Sequence, residues 1–162
     1  MVITDHYEHV IDDKNRLAIP SHVRSTMDPE RDGVAFYLVP RKAYLMLIPE
    51  KSLERTVQGK TAGLMPPAEV ANVRRAVYGN SPRLEPDKQG RVIIPDRFMK
   101  AGKPDAAEIP GYTRLDRAVT LVGNGDRLEL WNRDEFVAHM KKAYEDPDKL
   151  ENEVEKMFGD AV

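Results

Sequence analysis

The sequence contains no cysteine, which removes disulfides, thiolate zinc sites and cysteine nucleophiles together and fits a reducing compartment. It also lacks any window approaching the roughly 18 apolar residues needed to cross a membrane. Its start, MVITDHYEHV, is charged early and has no apolar run of the kind found in secretory leaders. Signatures of common catalytic sites are absent as well: there is no G-x-x-x-x-G-K-S/T, no G-x-S-x-G and no H-E-x-x-H. The histidines do not fill the gap. His6 and His9 stand i, i+3 in an expected strand and so point to opposite faces, while His22 and His139 fall on expected helices without acidic or cysteine partners. The expectation is a soluble, cytoplasmic protein that is not an enzyme and carries no metal or cofactor.

Strong positive charge is also missing, since the 162 residues sum to −2. The distribution matters more than the sum. Residues 145–162 carry seven acids against Lys149 and Lys156, a net of −5, and the remaining chain is therefore +3. That mild excess cannot hold nucleic acid by itself, so any such contact must come from local clusters or from several subunits acting together. Hydrophobic residues make up 41% of the chain, enough for a sizeable core.

What the sequence does hold is a repeat. DDKNRLAIP at 12–20 returns as DKQGRVIIP at 87–95, a shift of 75 that lays Asp12 on Asp87, Arg16 on Arg91, Leu17 on Val92 and Pro20 on Pro95. A second block returns at a shift of 83: AFYLVPRKAYLMLIPEKSL at 35–53 matches AVTLVGNGDRLELWNRDEF at 118–136, with Leu38 on Leu121 and Leu47 on Leu130. The difference of eight residues is an insertion in the second copy, expected in the Pro- and Gly-containing stretch at 103–115.

Each copy predicts strand, polar turn, strand, short helix, hairpin and longer helix. In the first copy the strands are expected at about 4–10, 16–19, 34–39 and 44–48. In the second, GNGD at 123–126 marks a tight hairpin. Asn132 with Glu135 three positions on predicts a capping box for a helix running to about Tyr144. PPAEVANVRRAVYGN at 66–80, opening with proline and closing near Gly79, predicts a connecting helix. These readings divide the chain into repeat 1 at 1–56, a linker at 57–82, repeat 2 at 83–144 and an acidic tail at 145–162. Apolar Leu150, Val154, Met157 and Phe158 give that tail helical spacing. A module of about 50 residues buries too little surface alone, so the two should share a core.

The doubled D-x-x-x-R motif followed by a branched apolar strand and proline, together with LVGNGDRLELW, resembles the MraZ family of transcriptional regulators from Tyr7 to about Lys142. The resemblance implies an α+β, β-rich fold: a pseudo-twofold, swapped-hairpin AbrB-like barrel of two tandem repeats with peripheral helices. It also implies a homo-oligomeric ring, nucleoid association and binding to double-stranded promoter DNA with short G-containing direct repeats. Autorepression of a division and cell-wall gene cluster would follow. Two departures stand out. Asn15 occupies a position where the family usually has glycine, and the first hairpin, VPRKAY, lacks the glycine that the second keeps.

Read from the residues, the turn between the first two strands of each copy is the strongest contact candidate. Lys14, Asn15 and Arg16, and then Lys88, Gln89 and Arg91, place hydrogen-bond donors on an exposed loop. Arginine fits the O6/N7 pair of guanine, and lysine meets either that pair or a phosphate. Asparagine and glutamine more often read adenine, so Asn15 and Gln89 have open roles. Asp12 and Asp87 are assigned to shaping the turns, because a carboxylate facing phosphate repels it. The competing reading is an ordinary surface turn in which those aspartates cap local amides and pair with the arginines. At the level of function, the rival to a promoter-reading protein is an AbrB-like assembly or antitoxin-type module.

Overall fold

The computed structural model describes residues 1–60, 63–103 and 112–159. Strands fall where apolar side chains alternate or run together between turn residues. They are β1 His6–Val10, β2 Arg16–Ala18, β3 Phe36–Pro40, β4 Leu45–Pro49, β5 Arg83–Leu84, β6 Arg91–Ile93, β7 Ala118–Gly123 and β8 Leu128–Asn132. The helices are α1 Ser21–Thr26, α2 Glu50–Gln58, α3 Ala68–Tyr78, α4 Arg133–Ala143 and α5 Pro147–Phe158. Where the first repeat has α1, the second has only a short 3-10 turn at Asp96–Phe98.

The strands pair across the repeats more than within them. Six make an antiparallel sheet in the order β1-β7-β8-β4-β3-β5, and β2 pairs with β6 in a separate two-stranded ribbon. The opening strand of each repeat thus leaves its own copy and pairs with the third strand of the other: His6 faces Val122, and Phe36 faces Leu84. At the centre, each residue meets its own counterpart, Met46 opposite Glu129 in the sheet and Leu17 opposite Val92 in the ribbon. The strand order reads the same when the two repeats are exchanged. The chain is a mixed α+β protein with a mostly antiparallel sheet, and among the described residues no ladder joins ribbon to sheet.

One core serves both copies. The aligned leucines Leu38, Leu47, Leu121 and Leu130 are fully buried, and they share a cluster with Leu17, Ile19, Val92 and Ile94 from the ribbon. Burying such a side chain contributes about 1.5–3 kcal/mol, so neither repeat retains its core without the other. Glu50 adds a polar tie between them. Its carboxylate accepts hydrogen bonds from the Val34 and Ala35 amides and from Arg83 Nε at 2.8 Å, and the Arg83 guanidinium is the main reason its pKa lies below the usual glutamate range.

One local expectation needs revision. The helix after β8 starts at Arg133 as expected, but Asn132 forms no capping box. It is buried, and its side chain is committed elsewhere: Oδ1 accepts from the Asp116 amide at 2.7 Å and Nδ2 donates to the Arg114 carbonyl at 2.9 Å. A buried amide has no freedom to turn back on its own helix, because leaving those partners unmet costs about 1–3 kcal/mol. The glycine missing from the first hairpin is not needed there, since Arg41 N–H closes it on the Tyr44 carbonyl at 2.9 Å and no residue in it has positive φ. In the second hairpin Gly125 has φ 77°, as tight turns of this kind require. Most of the expected insertion at 103–115 lies outside the described residues.

The acidic tail is helical as α5, capped by Asp146, whose Oδ1 accepts from the Lys149 amide at 3.0 Å. Leu150 and Val154 are half-buried, whereas Met157 and Phe158 are exposed. Trp131 stacks on Tyr44 with ring centroids 4.7 Å apart, packing the outer side of the hairpins. Among the described residues no helix is long and apolar enough to cross a membrane, and no group of three or more histidines and carboxylates could hold a metal.

Candidate nucleic-acid interface

The ribbon has one face in the core and one in solvent. Leu17 and Val92 point inward, so the period of two turns Arg16, Ala18, Arg91 and Ile93 outward. Because β2 and β6 run antiparallel, their preceding turns, 12–16 and 87–91, lie at opposite ends of the ribbon. Arg16 and Arg91 sit diagonally on the outer face, about 8 Å apart between Cα atoms by ordinary strand rise and spacing.

The two turns have the same hydrogen-bond plan. In the first, Asp12 Oδ1 accepts from the amides of Lys14 and Arg16 at 3.0 and 2.8 Å, while Oδ2 meets Arg16 Nε at 2.6 Å. In the second, Asp87 Oδ1 accepts from the amides of Gln89 and Arg91, both at 2.9 Å, and Oδ2 meets Arg91 Nε at 3.0 Å. The aspartates shape the turns, and the arginines pair with them. That pairing engages Nε only. Among the described residues no partner meets the terminal amino groups of either guanidinium, so each arginine is held by one edge and offers the other to solvent. A guanidinium fixed this way loses less side-chain freedom when it contacts a ligand.

Both carboxylates are held below the usual aspartate pKa of 3.8, chiefly by the backbone amides of Arg16 and Arg91 and further by their guanidinium groups. A depressed carboxylate stabilises the folded turn fully above the unfolded-state pKa, and the contribution is lost as pH falls through the folded value. The brace is therefore intact at neutral pH and fails only under acid. Carbon-detected NMR titration should give midpoints below 3.8 for both Asp12 and Asp87; a midpoint at or above that value would contradict the bracing.

Asn15 and Gly90 occupy equivalent places with φ 59° and 76°. Asparagine is among the few residues with a side chain that tolerate this region, which explains how the first turn survives without glycine. Its Nδ2 also donates to Asp96 Oδ1 at 2.5 Å, so the side chain is occupied by the protein itself. Asn15→Gly should hold stability within about 0.5 kcal/mol, with relief of strain offset by the lost hydrogen bond, whereas Asn15→Val should cost at least ~1–2 kcal/mol. Chemical denaturation distinguishes them, and equal stability of the two variants would show that the left-handed backbone is not what selects Asn15.

Lys14, Lys88 and Gln89 are exposed at the turn tips. Three further residues, absent from the sequence reading, brace the turns from elsewhere in the fold. Asp96 holds Asn15, Arg117 donates to the carbonyls of Ile11 and Asp12, and Arg24 lies under Gly90, where an added Cβ would come within 2.4 Å of Arg24 Nε. Asp96 and Arg117 reach the first turn from the other repeat, and Arg24 reaches the second in the same way, so no spacing within a motif signals them.

Comparison with known proteins gives one consistent result. A family model described as "MraZ protein, putative antitoxin-like" matches residues 78–160. The chain is 33% identical over 128 residues to the transcriptional regulator MraZ of Chromobacterium violaceum, covering 78% of each chain. It is 29% identical over 145 residues to the protein of the same name from Marinomonas sp., covering 88% of this chain and 87% of that one. With the one from Thioalkalivibrio sulfidiphilus the identity is 27% over 139 residues, covering 86% and 85%.

Proposed function

Since this chain belongs to the MraZ family of transcriptional regulators, we propose that it reads double-stranded promoter DNA with the outer face of the β2–β6 ribbon and its two turns. The observation that carries this reading is the pair of arginines braced through Nε, their terminal N–H groups meeting no partner among the described residues. A two-stranded ribbon fits the major groove, and an arginine can meet guanine O6 and N7 there with two donors. Asp12 and Asp87 aim Arg16 and Arg91. Lys14, Lys88 and Gln89 supply phosphate, sugar or further base contacts at the ends of the ribbon, and Asn15, whose Nδ2 is shared with Asp96, adds what its remaining amide groups can reach. Exposed Ile93, beside Arg16, offers an apolar contact of the kind thymine methyl groups accept.

In this reading the interleaved sheet and ribbon are the AbrB-like swapped-hairpin barrel, with repeats at 1–56 and 83–144, a linker at 57–82 and a tail at 145–162. The protein acts in the cytoplasm on the nucleoid, without catalysis or cofactor. It assembles as a homo-oligomeric ring that engages short G-containing direct repeats upstream of its own gene, and it represses that gene together with the division and cell-wall cluster that follows. Footprinting of the purified protein on that upstream region tests the proposal. Protection of regularly spaced G-containing boxes is expected. An unprotected promoter would overturn it in favour of an assembly or antitoxin-type module.

A further inference from the structure

The two turns share a backbone but not a charge. At their exposed tips the first carries Asp13 and Lys14, and the second carries Lys88 and Gln89 in the same places. The residues that touch them from outside deepen the contrast. Asp96 accepts from Asn15 in the first, whereas Arg24 lies under Gly90 in the second, its Nε–H donating to the Ile19 carbonyl at 3.2 Å. Counting only groups within or touching a turn, the first end balances Asp12, Asp13 and Asp96 against Lys14, Arg16 and Arg117 and sums to zero. The second sets Asp87 against Lys88, Arg91 and Arg24 and sums to +2.

We propose that the ribbon docks on DNA unequally, with Lys88 at the Arg24-backed turn as the phosphate anchor and Asp13 as a carboxylate that limits the affinity of the other turn. This rests on the ribbon being the DNA-binding face. A phosphate track of one charge about every 1.7 Å of duplex attracts the +2 end before the neutral one, most strongly within the Debye length of about 8 Å at physiological salt. At the other end Asp13 sits beside Lys14 and cancels its pull. The first turn therefore adds base contact through Arg16 while contributing little to the salt-dependent attraction.

Salt titration of promoter binding by the full-length protein separates the possibilities. Lys88→Ala should lower affinity several-fold on cognate and scrambled duplexes alike and make the log–log salt slope shallower by about 1 per engaged protomer. Lys14→Ala should change that slope by less than half as much. Asp13→Lys should raise affinity on both duplexes and steepen the slope by about 1 or more per protomer. Equal losses for Lys88→Ala and Lys14→Ala, or an Asp13→Lys variant that binds like the parent, would overturn the unequal docking while leaving the ribbon as the interface. The ribbon reading fails separately, if an Arg16→Ala/Arg91→Ala variant in the same titration keeps parental affinity for the cognate duplex.

Discussion

Replacing Arg16 and Arg91 together by alanine is expected to remove specific promoter binding while the protein stays folded. Each bidentate guanine contact is worth roughly 1–3 kcal/mol, so losing both weakens cognate binding by about 30-fold to more than 10⁴-fold per engaged protomer. Stability should hardly move. The Arg16–Asp12 and Arg91–Asp87 pairs are partly exposed, and pairs of that kind contribute about 0–1 kcal/mol. The aspartates also keep their backbone donors, the amides of Lys14, Arg16, Gln89 and Arg91. Lysine at the same positions keeps the charge but not the planar fork, so Arg16→Lys/Arg91→Lys should retain binding to scrambled DNA and lose preference for the cognate sequence. Gel-shift titration beside thermal melting reads both quantities. A double alanine variant that melts like the parent and still binds the promoter like the parent would remove the arginines from the interface. Wholesale unfolding would instead make the Asp–Arg pairs elements of the fold.

The second large effect concerns the number of sites. Outside the acidic tail the chain carries only +3, which gives a single protomer little grip on DNA. A ring of protomers engaging successive boxes converts later contacts into intramolecular ones, and avidity rises by about 10²–10⁴ without any new contact. Affinity is therefore expected to climb steeply from one box to three. Boxes read from one side of the duplex must repeat near a whole helical turn, ~10–10.5 bp. Inserting half a turn between boxes rotates one to the far side and should remove most of the gain. Titrations with one, two and three boxes, and with the half-turn insertion, measure this directly. Equal affinity for one and three boxes, or indifference to the insertion, would rule out binding by a fixed ring even for a protein that binds DNA.

Much of this architecture was legible in the sequence because the repeat compares the chain with itself. Leu38 and Leu121, or Leu17 and Val92, fall on each other in alignment and then prove equally buried. The turns were legible for a local reason: a short carboxylate reaches amides two and four residues ahead, so D-x-x-x-R carries most of its own geometry. What could not be read was anything contributed by the other copy. Asp96 stands 81 residues from Asn15, and Arg117 stands 105 from Asp12. The polar balance at each turn depends on them. Asn132 failed for the same reason in miniature, since its cap position was clear but its partners, 16 and 18 residues back, were not. The exchange of opening strands between copies was not legible, because alignment gives the elements of a repeat and not which element pairs with which.

That exchange has a consequence for how the protein is made. The partner of β1 is β7, with His6 opposite Val122, and a ribosome adding about 5–20 residues per second takes roughly 6–23 s to cover the distance. For the later part of that interval the first half is complete in sequence but lacks the strands of the second half that close its core. The edge that β8 later covers on β4 stays open. A neighbouring nascent chain on the same message presents the same strands at nearly the same moment. Interleaving therefore makes strand exchange between two molecules geometrically equivalent to exchange within one, and only the high local concentration of a chain's own second half decides between them.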